Sequence, residues 1–155
     1  MADILEQLLQ EERDLQFVSF NEATAWEIGC HLVERARREG LPITIDITRG
    51  NHQLFHASLH GTSADNDEWI KRKVRLVYRF GHSSFYVGQL LKGKGKRIDE
   101  AYFLSENEYA PHGGCFPVIV KDTGVIGTIA VSGLAQEEDH KLVVQALREY
   151  LAQEK

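Results

Sequence analysis

The chain has 155 residues, 43% apolar and 26% charged, the balance of a soluble globular protein with length enough for one real core. At a net charge of −5 no basic face stands out, which argues against general nucleic-acid binding, and no run approaches the ~20 apolar residues of a membrane span. The start, Met1-Ala2-Asp3-Ile4-Leu5-Glu6, lacks the basic and apolar regions of a signal peptide. Cys30 and Cys115 have no CxxC spacing, so the expectation is a reduced, cytoplasmic protein without a disulfide scaffold.

Asp3, with Glu6 three residues on, is the expected cap of a first helix that carries Ile4, Leu5, Leu8 and Leu9 and runs to about Asp14. Asn21 caps a second, striped by Ala25, Ile28, Gly29, Leu32, Val33 and Ala36, and Gly40 with Pro42 stops it. The period then changes to two. Ile43, Ile45 and Ile47 alternate with Thr44, Asp46 and Thr48 in a half-buried strand, and a turn over 49–52 returns the chain as a second strand over 53–59.

After a polar loop, Asp65 or Asp67 is the expected cap of a helix over 68–80, and Ser83 or Ser84 opens another ending at Leu91. Residues 92–97, Lys-Gly-Lys-Gly-Lys-Arg, read as a mobile surface loop, because they lack Walker spacing and its Lys-Ser/Thr ending. A short helix is expected over 99–104. Gly113-Gly114, between Pro111 and Pro117, leads into two apolar strands joined by the turn Lys121-Asp122-Thr123-Gly124. A last helix starts near Gln136, with Glu137, Glu138 and Asp139 in the first turn, where the dipole favours acids. Two hairpins with helices grouped between them predict a single-domain α+β fold over 1–155, an antiparallel sheet covered by helices.

Few residues carry chemistry. His112-Gly113-Gly114 has two readings: backbone amides beside an imidazole that hold a ligand, or a tight turn into the strand. Cys115 is either a soft ligand or redox thiol, or core; the Cys-Pro dipeptide of thiolate haem sensors is absent, since Phe116 intervenes. Asp46 either lines a pocket, where it could orient His112 or bind a ligand amine, or is solvated. Lys71, Arg72 and Lys73 either offer one side chain to a propionate or phosphate, or form a charged helix face.

His52, His56 and His60 do not make a zinc site. Residues four apart on a strand stand ~13 Å from each other, against Zn–N bonds of about 2.1 Å. With a turn of two or four residues, His56 falls on the side of Ile43, Ile45 and Ile47, partly buried with a hydrogen-bond partner. Ser83, Ser84 and Ser132 lack a nucleophile elbow, so hydrolase chemistry has no support.

The helix ending Gly40-Leu41-Pro42, the strand at 43–48 with Asp46, Trp69 with Lys71-Arg72-Lys73, His112-Gly113-Gly114-Cys115-Phe116-Pro117, Gly127, Val131-Ser132-Gly133 and Asp139-His140 together resemble a known family. It is that of the haem-degrading-domain or glycolate-operon-type proteins, related to the C-terminal domain of a corrinoid adenosyltransferase. The likeness extends over nearly the whole chain and is nearest to the stand-alone cytosolic members of bacteria and yeast. It implies a profilin-like fold and homo-oligomers; some relatives bind haem, and one secreted relative is a haem-responsive redox sensor.

The expected function is therefore binding of a small molecule, haem or another tetrapyrrole included, without catalysis. The ligand site is expected at His112, Gly113, Gly114 and Cys115 with Asp46, Lys71, Arg72 and Lys73, and His112 is the metal ligand if the ligand is haem. The alternative is a homo-oligomeric adaptor or assembly protein, its conspicuous segments serving as subunit contacts.

Overall fold

The structure, a computed structural model, describes residues 2–154. In chain order it consists of α1 (Ala2–Asp14), β1 (Gln16–Phe17), α2 (Glu22–Glu39), β2 (Thr44–Arg49), β3 (His52–Ser58), α3 (Ala64–Phe80), α4 (Ser84–Lys94), α5 (Ile98–Tyr102), β4 (Cys115–Val120), β5 (Gly124–Ser132) and α6 (Gln136–Gln153). The five strands make one sheet in the order β1-β4-β5-β2-β3. The expected α+β fold, an antiparallel sheet flanked by helices, is what forms, with one addition: β1 lies parallel to β4, Gln16 opposite Ile119 and Phe17 opposite Val120. Two residues are too short for any period to betray them.

Local signals set most boundaries. Asn21 caps α2 through Oδ1, which accepts from the Thr24 amide at 3.1 Å, and Gly40 closes that helix at φ 67°. Three expectations shift. Asp3 lies inside the first turn of α1, which begins at Ala2. α3 begins at Ala64, capped by Ser63 rather than Asp65 or Asp67, with the Ser63 amide donating to Asn66 Oδ1 at 3.0 Å; its first turn is polar, which hides the apolar period. Residues 92–97 are no free loop: α4 continues to Lys94, its last-turn lysines facing the carbonyl end of the dipole, and Gly95 closes it.

The sheet has two unlike faces. On one, Ile45, Ile47, Phe116, Val118, Ile129 and Val131 pack under α2 and α6 with Ile28, Leu32 and Leu147, the main core. Each such side chain contributes about 1.5–3 kcal/mol on burial. On the other, under α3, the alternate residues Thr44, Asp46, Thr48, Thr128 and Ser132 are buried although polar, so β2 is covered on both sides rather than half-exposed. Thr48 Oγ1 meets both Tyr78 Oη and Thr128 Oγ1 at 2.7 Å. A small apolar set, Ile70, Val74, Val77, Cys115 and Ala130, seals α3 to this face.

A bulge decides where His56 goes. Arg49 pairs with His52 across a two-residue turn, so an unbroken ladder would set His56 opposite Ile45. The pairing instead jumps from Thr48–Gln53 to Ile47–Phe55, leaving Leu54 extra. His56 therefore faces Asp46, on the polar side, and not the isoleucine side expected from turn length alone.

Helix α1 docks through two neighbouring carboxylates. Glu11 meets His140 Nε2 at 2.8 Å, and Glu12 meets His82 Nδ1 at 2.7 Å while accepting from the Ser83 amide at 3.0 Å. The Glu12 hydrogen bond raises the His82 pKa above 6.5. A raised histidine pKa stabilises the fold fully below the unfolded value, and this contribution fades as pH rises through the folded one. His82→Ala is accordingly expected to lower the melting temperature more at pH 6 than at pH 9, measured by circular dichroism at both.

Candidate functional site

The segment 110–114 crosses between α3, α4 and the start of α6. Trp69 on α3 is its platform: the His112 ring meets it edge-on at 5.5 Å between centroids, and the Arg72 guanidinium lies over it at 4.1 Å. A cleft of about 520 Å³ opens there, lined by His112, Trp69, Arg72, Lys92, Lys96 and Arg97 among others. A second hollow of about 360 Å³ lies on the other side of His112, with Asn66, Ser132, Lys73 and Asp139. Desolvation of the His112 ring, then the charges of Lys73 and Arg72, hold its pKa below 6.5, so the imidazole is neutral near pH 7. A neutral imidazole is a metal ligand or a hydrogen-bond partner.

The glycines do something other than present free amides. The Gly113 amide already donates to Gln136 Oε1 at 3.0 Å, and a Cβ there would strike the Gln136 carbonyl and the Phe85 ring. Gly114, at φ 133°, makes room for a buried ion pair: a Cβ would meet the Val131 carbonyl, Lys73 Nζ at 2.5 Å and Asp139 Cβ. The tight-packing reading accounts for both positions.

Lys73, Asp139 and Gly114 form one buried knot. Lys73 Nζ donates to the Val131 carbonyl at 3.2 Å and to Asp139 Oδ2 at 3.4 Å, while Asp139 Oδ1 accepts from the Leu134 amide at 3.0 Å. Burial pushes the Asp139 carboxyl up to about 6 against the opposing pull of Lys73, and burial likewise lowers the Lys73 pKa. Asp139 lies in the first turn of α6, as expected, and there it is 2% exposed and paired.

The other expected site residues separate. Successive residues on a helix point about 100° apart, so Lys71, Arg72 and Lys73 cannot share a ligand. Lys71 is exposed and pairs with Glu68 at 2.9 Å, Arg72 stacks on Trp69, and Lys73 turns inward. Cys115 is fully buried with Ile70, Val77 and Ala130; burial pushes its thiol far up, so it is core and not a ligand.

Asp46 is neither solvated nor near enough to orient His112. It is buried against Gln53 Nε2 at 2.6 Å and His56 Nδ1 at 2.9 Å, at a cleft of about 700 Å³ on another face of α3. His56 Nε2 stands 3.1 Å from Asp67 Oδ1, and that buried oxygen has no hydrogen-bond donor among the described residues.

Sequence reasoning missed three contributors: Trp69 as a stacking platform, Gln136 as the acceptor for Gly113, and Asp139 as the partner of Lys73. Only Trp69 had a local sign, its position three residues before Arg72 on one helix face. Because Gly114 combines a positive φ with contacts on the buried pair, Gly114→Ala is expected to destabilise the fold by about 2–4 kcal/mol, read from urea unfolding.

The HbpS-like family model, described as haem degrading protein, matches residues 20–148. A UPF0303 protein of Streptomyces avermitilis is 48% identical over 145 residues, covering 94% of this chain and 89% of that relative. One from Psychromonas ingrahamii is 41% identical over 147 residues, covering 95% and 92%. The crystal structure of Ybr137w protein is similar at a TM-score of 0.90 and 34% identity, covering 97% of this chain and 88% of that one. A solved PduOC–haem complex shares the fold at a TM-score of 0.68 and 16% identity, covering 85% and 94%. A family match over most of its length, with relatives above 40% identity, places this chain in the HbpS-like family.

Proposed function

We propose that this protein binds a planar, acidic small molecule, with haem or a related tetrapyrrole as the foremost class, in the cleft between His112 and the end of α4. The observation that carries this reading is a neutral imidazole lining a 520 Å³ hollow in which Arg72, Lys92, Lys96 and Arg97 outnumber Glu106 and Glu137. That volume lies within the roughly 300–1,000 Å³ of small-ligand sites. The HbpS-like family and the haem complex of a protein with this fold support it.

The donor set fits the group. His112 would give a ring nitrogen to the iron, with its ring braced by Trp69. Lys92 and Lys96 stand in no ion pair among the described residues, and with Arg72 they would receive the propionates. The apolar body of the ligand would lie along Trp69, Leu91 and Ile98. Bound there, the iron would supply redox or small-gas chemistry; the protein's part is to fix the ring and neutralise the carboxylates.

Titrating the protein with haem while recording its absorption spectrum is expected to give a shifted Soret band that is lost in His112→Ala. Because the imidazole titrates below 6.5, binding should hold from pH 8 to about 6.5 and weaken only at lower pH, where a proton competes for the same lone pair. A spectrum equal to that of free haem across this range would refute the reading.

A second reading, of a homo-oligomer whose surfaces are subunit contacts, is favoured by one feature. Phe103 is 89% exposed and sits at φ 59°, held out at the end of α5. An aromatic ring presented this way is the kind of anchor that subunit contacts use. Light scattering on the eluting protein is expected to give a mass that is a multiple of 17.6 kDa, falling in Phe103→Ser.

A further inference from the structure

The 360 Å³ hollow beside His112 is lined in part by Lys73, a side chain only 3% exposed whose ammonium pairs with Asp139. Two of its N–H groups end on the Val131 carbonyl and Asp139 Oδ2, which leaves the third for whatever enters. Ser132 and Asn66 stand on the wall, joined at 3.3 Å, with Trp69 and His112 above. The charged lining is Lys73 against Asp65 and Asp139, a net negative set that disfavours an anionic ligand. A cation entering would meet the Lys73 ammonium, whose charge Asp139 already balances, which leaves a neutral ligand.

We propose that Lys73 is a carbonyl-capturing lysine, forming a reversible imine with a small neutral aldehyde or ketone, aromatic ones best, that stacks against Trp69 and His112. The chemistry balances within the pair. Lys73 first passes a proton to Asp139 and, as the free amine, attacks the carbonyl carbon. A C–N bond forms as the C=O π electrons move to oxygen, which takes that proton from Asp139. The nitrogen returns a proton to Asp139, which then protonates the hydroxyl; the C–O bond breaks, one water leaves, and the nitrogen lone pair closes the C=N bond. The product is an iminium facing a carboxylate.

Charge is therefore the same before and after, and the buried pair survives the reaction. That matters because an unpartnered buried charge costs several kcal/mol. Desolvation, which lowers the Lys73 pKa and raises that of Asp139 to about 6, eases the first proton transfer. Gly114 has a part in this: its missing Cβ is the space in which Nζ sits.

The test is to treat the folded protein at neutral pH with benzaldehyde and cyanoborohydride, which reduces the imine to a stable benzyl-lysine, and to map the labelled peptides by mass. Labelling is expected at Lys73 ahead of the exposed Lys71 and Lys141. In Lys73→Arg, which keeps the positive charge, the label at 73 should vanish while surface labelling stays. The same mapping in urea, where all lysines react alike, shows that the Lys73 peptide is detectable. Label on surface lysines alone, with Lys73 unmodified in the folded wild-type protein, overturns the proposal without need of any variant. In the wild-type protein the two readings fail separately: a free-haem spectrum would leave the Lys73 label standing, and an unlabelled Lys73 would leave the Soret shift standing.

Discussion

The buried pair of Lys73 and Asp139 holds the functional end of the molecule together. Lys73 comes from the middle of α3, Asp139 from the first turn of α6, and their hydrogen bonds reach the Val131 carbonyl and the Leu134 amide on either side of the end of β5. Gly114 fits beneath them as the chain enters β4. Losing one partner of such a pair strands a charge in a dry place and costs about 3–5 kcal/mol. Trp69, one helical turn before Lys73, takes its position from this anchor, and with it the stacked His112 and Arg72.

The two faces of the sheet divide the labour. Beneath α2 and α6 the strands bury isoleucine, valine and phenylalanine, an interior that stabilises and offers no chemistry. Beneath α3 the same strands bury threonine, serine and aspartate, each needing a partner because an unpaired buried polar group costs free energy. The partners found are Tyr78 for Thr48, His56 and Gln53 for Asp46, and Ser58 for Thr44. A helix laid over polar side chains cannot close down as tightly as one on aliphatic residues. Three clefts open beside α3, whose seat on the sheet is polar.

Much of this was legible in advance. The capping of α2 by Asn21, its stop at Gly40, the hairpin of β4 and β5, and the α+β arrangement follow from caps, turns and periods that act within a few residues. The site was legible only in part. His112 and Arg72 do line one cleft, but Cys115 entered the core, Lys71 turned to Glu68 and Asp46 went to a different face of α3. A run such as Lys71-Arg72-Lys73 looks like one basic patch in the sequence, and helical geometry disperses it.

By itself the sequence determined that these helices and hairpins form, β1 aside, and where several of them stop, because caps, turns and periods are local preferences of backbone and solvent. Tertiary structure decided the pairings across long separations: Lys73 with Asp139, Glu12 with His82, Asp46 with His56 by way of one extra residue at Leu54. No short-range rule fixes these. A buried charge takes its partner from whatever the packed elements bring within reach, and a single bulge reverses the face of every residue beyond it.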